Sequence, residues 1–60
     1  MNAKTNYPPY YHVVNIVYNN DGREEVAKAW LSVNDKGHYM WTIANTDIII
    51  LDKDVKSWYS

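Results

Sequence analysis

Asp47, Asp52 and Asp54 place carboxylates close together in "TDIIILDKDVKSWYS", a grouping that could ligate a hard cation such as calcium. A calcium loop also needs a glycine for its sharp turn and a distal glutamate. Neither is present in this stretch, so the acids read as a solvated turn. His12 and His38 are the only histidines, and with no cysteine there is no thiolate zinc site. The two histidines fall on opposite faces of the expected sheet and should not converge on a metal. The hydroxyl nucleophiles are Ser32, Ser57, Ser60 and three threonines, none beside a histidine in sequence. Gly-x-Ser-x-Gly is absent. Glu24 and Glu25 are adjacent and would point to opposite faces of a strand, so they form no pair for acid–base work. Both glycines sit in turn sequences, which leaves no phosphate-cradling loop. The expectation is therefore no catalytic site, no cofactor and no metal, and a protein that binds rather than transforms.

The residues suited to binding are the aromatics: six Tyr, three Trp and no Phe. Each carries a polar handle on an apolar body, the type that works where one end is dry and the other wet. Tyr and Trp are also enriched at interfaces. The formal net charge of −1 gives no electrostatic footprint for duplex DNA or an anionic membrane. "PPYY", from Pro8 to Tyr11, fits the short pattern read by WW domains. The tyrosines lead toward a strand, so a structural role is the stronger reading.

Elements that could position these side chains follow from turn chemistry. Asp21-Gly22 between apolar segments is a strong hairpin signal. It pairs Ile16 with Ala27, Val14 with Ala29 and His12 with Leu31. A rival is a helix over 22–33, because Asp21 and Glu24 have capping-box spacing and "EEVAKAWL" contains helix formers. "NDKG" at 34–37 fits a second turn ending in a glycine bulge. Its register sets Val33 against Tyr39, Leu31 against Trp41 and Ala29 against Ile43. One face then carries Tyr10, His12, Val14, Ile16, Tyr18, Ala27, Ala29, Leu31, Val33, Tyr39, Trp41 and Ile43. The core is expected on Val14, Ile16, Leu31, Trp41 and Ile43. The other face is mixed, with Tyr11, Val13, Val17, Trp30 and Met40 among polar residues.

The expected fold is mainly β: a small antiparallel meander with a fourth strand over 47–51, of SH3-like barrel type. Residues 52–60 form either a turn and a short strand or a last helical turn. Residues 1–9 read as a flexible N-terminal arm, and 10–60 as a single small domain. Of 60 residues, too few are available to bury all the apolar surface.

Ile48, Ile49, Ile50 and Leu51 are consecutive aliphatics, where a strand with one wet face would alternate. One pair can join the core and the other needs a second cover. The Trp58/Tyr59 tail, the N-terminal arm or a second copy of the chain could supply it. The tail and the arm are short, which favours a symmetric homodimer or higher oligomer and makes Ile49 and Leu51 the expected oligomer seam. Tyr11, Trp30, Met40, Trp58 and Tyr59 are the expected partner or ligand interface. The chain is expected to act stoichiometrically as a homo-oligomer on a larger protein, as an inhibitor, antitoxin or adaptor of phage or mobile-element type. Rival classes are a protein sequestering a nucleotide-like ligand at a subunit seam and a single-strand nucleic-acid-binding barrel. Neither nucleic acid nor a membrane is the expected partner. The lack of cysteine, a polar N-terminus and the absence of an apolar run of about 18 residues point to a cytoplasmic setting.

Overall fold

The computed structural model describes the backbone of Asn2–Ala3 and all of residues 6–60. Asp21 and Gly22 both take positive φ, 54° and 85°. That is what the tight turn of a two-residue hairpin requires and why Asp-Gly occupies it. The chain is mainly β. Its strands are β1 Asn2–Ala3, β2 Val13–Asn20, β3 Arg23–Val33, β4 Tyr39–Ile43, β5 Ile49–Leu51 and β6 Val55–Tyr59. They form one antiparallel sheet of order β1-β6-β2-β3-β4-β5.

Ile16 pairs with Ala27 and Val14 with Ala29, as the hairpin register requires. Arg23–Val33 is a strand, which overturns the helical alternative over 22–33. A helix would gather Val26, Trp30 and Val33 on one side, but Val26 and Val33 are both exposed. The strand instead buries Ala29 and Leu31 at a period of two and satisfies its backbone against β2 and β4.

The second turn is held by Asn34, whose Oδ1 accepts the N–H groups of Lys36 at 2.9 Å and His38 at 3.0 Å. Gly37, at φ 80°, donates its N–H to the Asn34 carbonyl at 2.9 Å. The resulting register is Val33/Tyr39, Leu31/Trp41 and Ala29/Ile43, as expected.

β5 starts later than residue 47 because Thr46 closes the preceding turn. Its hydroxyl donates to the Ile43 carbonyl at 2.8 Å and accepts the Ile48 N–H at 3.1 Å. After β5 comes a 3-10 turn, Asp52–Asp54, and then β6 returns to pair with β2. The C-terminal stretch is thus a turn followed by a strand.

The core is Ile16, Leu31, Trp41 and Val55, all essentially inaccessible, with Val14, Tyr18 and Ala29. Ile43 is only partly buried against it. Tyr10 and His12, expected on the core face, are exposed. Tyr11 at φ 66° is the reason: residues 9–12 turn, with the His12 N–H donating to the Pro9 carbonyl at 3.4 Å. The Tyr11 N–H donates to the Leu31 carbonyl at 3.0 Å, so the expected His12/Leu31 pair does not form and β2 begins at Val13. Val17, expected on the mixed face, is buried, at the point where the register between β2 and β6 shifts. Within the expected arm, Asn2 pairs with Trp58 and Ala3 with Ser57, Tyr7 packs on the core and Pro8 is buried.

Candidate functional site

Alternation along the strands sends one set of side chains away from the core. Val13, Trp30, Thr42 and Ile49 lie in one cross-strand row, and Ser32, Met40 and Leu51 in the next. Thr42 and Ser32 are buried and form the floor between the larger neighbours. Val13, Ile49 and Leu51 are each more than half exposed, while Trp30 and Met40 are partly buried. Across four neighbouring strands, the exposed part of this face is largely apolar.

Tyr11 completes it. The residue is 71% exposed, yet its ring lies 5.6 Å from the Trp30 ring at an interplanar angle of 47°. Positive φ on a tyrosine costs about 1–2 kcal/mol relative to ordinary backbone. The turn at Pro9 and the bond to Leu31 hold that conformation and aim the ring over Trp30 rather than toward the core.

Of the residues expected at an interface, Tyr11, Trp30 and Met40 share this face with the seam residues Ile49 and Leu51. Tyr59 pairs with Asn15, whose side-chain amide donates to the Tyr59 carbonyl at 3.4 Å. That register puts Tyr59 on the same face, over β6 and β2. Trp58 is on the opposite side of the sheet. It pairs with Ile16, packs on the core and donates its indole N–H to the Asn6 carbonyl. Ile50 also turns to the core, while Ile48 precedes the strand and is exposed.

A second aromatic group went unseen in the sequence. Tyr7 stacks on Tyr39 with ring centroids 4.2 Å apart and lies 6.3 Å from Trp41. Tyr10 is 6.4 Å from both Tyr39 and Tyr11. Rings therefore run from Trp41 in the core through Tyr7, Tyr39, Tyr10 and Tyr11 to Trp30. Asp52 anchors the buried end: Oδ1 accepts the Trp41 indole N–H at 3.0 Å and Oδ2 the Tyr7 hydroxyl at 2.9 Å. A buried indole needs an acceptor. Asking where the Trp41 N–H goes would have singled out the acid that ends the aliphatic run.

Burial, and then the hydrogen bond to Asp52, push the Tyr7 phenol up to about 12. Burial and a bond to Glu25 raise Tyr18, and burial and a bond to Tyr39 raise Tyr10. These phenols stay protonated near neutrality, and those of Tyr7 and Tyr18 donate hydrogen bonds to Asp52 and Glu25. His12 and His38 are both exposed. Among the described residues, no three His, Cys, Asp or Glu side chains gather as metal ligands, and there is no enclosed pocket. No helix among them is long and apolar enough to cross a membrane. Set against protein families, characterised proteins and solved structures, the chain has no match in any of the three comparisons.

Proposed function

We propose that the chain is a small, non-enzymatic binding protein of SH3-like barrel type. It acts stoichiometrically as a homo-oligomer and docks its outer sheet face on a larger protein, as an inhibitor, antitoxin or adaptor does. The observation that carries this reading is Tyr11. An exposed ring held over Trp30 by left-handed backbone is local strain at a surface position, and such strain concentrates at binding and functional sites. Tyr and Trp are also the residues that dominate interface energies. The strand order, with a 3-10 turn before a last strand that returns to β2, supports the barrel assignment. A cysteine-free chain suits the reducing cytoplasm.

Sequestration of a flat ligand is the weaker reading, because Tyr7 and Tyr39 already stack on each other. Single-strand nucleic acid is weaker still, for want of net positive charge.

Affinity capture from cells with the wild type and with Tyr11→Ala and Trp30→Ala, each checked for an unchanged circular dichroism spectrum, tests the reading. Loss of a specific stoichiometric protein partner in both variants is expected. Capture unaffected by either substitution, or no protein captured by the wild type, would overturn it.

A further inference from the structure

β5 is the terminal strand of the sheet on the side away from β1, and its hydrogen-bonding pattern shows what its outer edge offers. Ile43 donates its N–H to the Ile48 carbonyl at 2.9 Å, so Ile43/Ile48 is a hydrogen-bonded pair. Antiparallel pairs alternate, which makes Trp41/Ile50 the next such pair. Thr42/Ile49 and Met40/Leu51 are then the pairs between. The N–H and C=O of Ile49 and the N–H of Leu51 accordingly point away from β4, off the edge of the sheet. The Leu51 carbonyl opens the 3-10 turn that follows.

We propose that β5 pairs antiparallel with β5 of a second copy, Ile49 facing Leu51 of the other chain and Ile50 facing Ile50 across the two-fold axis. This rests on the self-association part of the function proposed above and gives it a defined seam. Two features single out this arrangement. The outward backbone groups of residues 49 and 51 meet one another, so each Leu51 N–H can donate to the Ile49 carbonyl of the second copy, twice by symmetry. The exposed side chains of Ile49 and Leu51 fall on the same outer face in both copies and cover each other. Asp47 and Lys53 lie outside the strand, Lys53 within the 3-10 turn, so the register rests on these two features: a slip of two residues would leave only one aliphatic side chain of each copy covered by its counterpart. The seam also joins the two outer faces into one surface and removes an exposed edge with aliphatic side chains, a form that otherwise invites uncontrolled strand addition. The interface is isologous and closes on itself, so it stops at a dimer.

Disulfide trapping reads the register directly, because the chain has no cysteine of its own. Hydrogen-bonded antiparallel partners have Cα atoms about 5.5 Å apart, within disulfide reach. The double variant Ile49→Cys/Leu51→Cys should form a covalent dimer under mild oxidation, while Ile49→Cys alone and Leu51→Cys alone should not. Dimer from the Ile49→Cys single variant would indicate a pairing of 49 with 49, and from the Leu51→Cys single variant a pairing of 51 with 51. Either result overturns the proposed register, as does a double variant that stays monomeric. Independently, native mass spectrometry should show a dimer for the wild type and a monomer for Ile49→Lys/Leu51→Lys, both positions being about half exposed and the fold of the variant being checked by an unchanged circular dichroism spectrum. A dimer that survives the lysine pair places the seam elsewhere and leaves the binding function standing. A wild type that is monomeric sinks this proposal and the self-association of the function together, while partner capture through Tyr11 and Trp30 is read separately.

Discussion

The Trp41 indole N–H donates to Asp52 Oδ1 at 3.0 Å, tying the largest buried side chain to the acid that closes the aliphatic run of β5. The same carboxylate takes the Tyr7 hydroxyl, so one side chain joins β4, the 3-10 turn and the segment leading into β2. Asp52→Ala leaves a fully buried donor unsatisfied and should cost about 1–3 kcal/mol in urea denaturation. Asp52→Asn keeps an acceptor and should cost less. Equal losses in the two variants would mean that the carboxylate's charge, not its acceptor role, matters.

Tyr7 adds a pH dependence with a definite sign. Its phenol is pushed from the ordinary 10.0 to about 12 by burial and by Asp52. The folded state thus holds this proton more tightly than the unfolded chain. The stabilisation is complete below pH 10 and is lost as pH rises through the folded value of about 12. Denaturation midpoints should fall across this window. Tyr7→Phe should cost about 1 kcal/mol at neutral pH and flatten the alkaline decline. An unchanged decline would assign it to the other raised phenols, Tyr10 and Tyr18.

The core assignment predicts a sharp contrast between neighbours on one strand. Leu31→Ala empties a fully buried site and should cost about 2–5 kcal/mol, most of the stability of so small a domain. Val26→Ala, on the exposed face of β3, should stay within about 0.5 kcal/mol. Thermal unfolding followed by circular dichroism distinguishes them, and similar losses at both sites would refute the assignment of faces.

The parts of this fold that could be read in advance are those set by local chemistry. Asp21-Gly22 and Gly37 demand positive φ, and once both turns are placed, a period of two assigns every side chain of β3 and β4 to a face. The parts that could not be read depend on distant partners. Tyr7 meets Asp52 across 45 residues, and Trp58 meets Ile16 through a strand whose pairing no local signal announces. Trp58 therefore looked like surface although it packs on the core. Tyr11 misled for a different reason: nothing in "PPYYHV" marks a left-handed tyrosine, and an extended lead-in would have been the ordinary conformation.

That tyrosine supplies the most discriminating test of the outer face. Two terms act on its stability, and they oppose each other. The left-handed backbone costs about 1–2 kcal/mol for a residue with a Cβ. The contact with Trp30 returns about 0.5–1.5 kcal/mol, the range for aromatic pairs. Tyr11→Asn should relieve part of the strain, since asparagine tolerates this conformation, while giving up the contact. Stability should therefore change little, by less than about 1 kcal/mol in urea denaturation. Trp30→Ala, on the same solvent-facing surface, should likewise leave the strand content of the circular dichroism spectrum intact. Binding has no such cancellation. If Tyr11 and Trp30 are the anchors, either variant should weaken partner capture by at least about 10-fold, the equivalent of a modest interface hot spot. A Tyr11→Asn variant that loses more than about 2 kcal/mol of stability would show the ring to be a structural prop, and the outer face would lose its claim as the binding site.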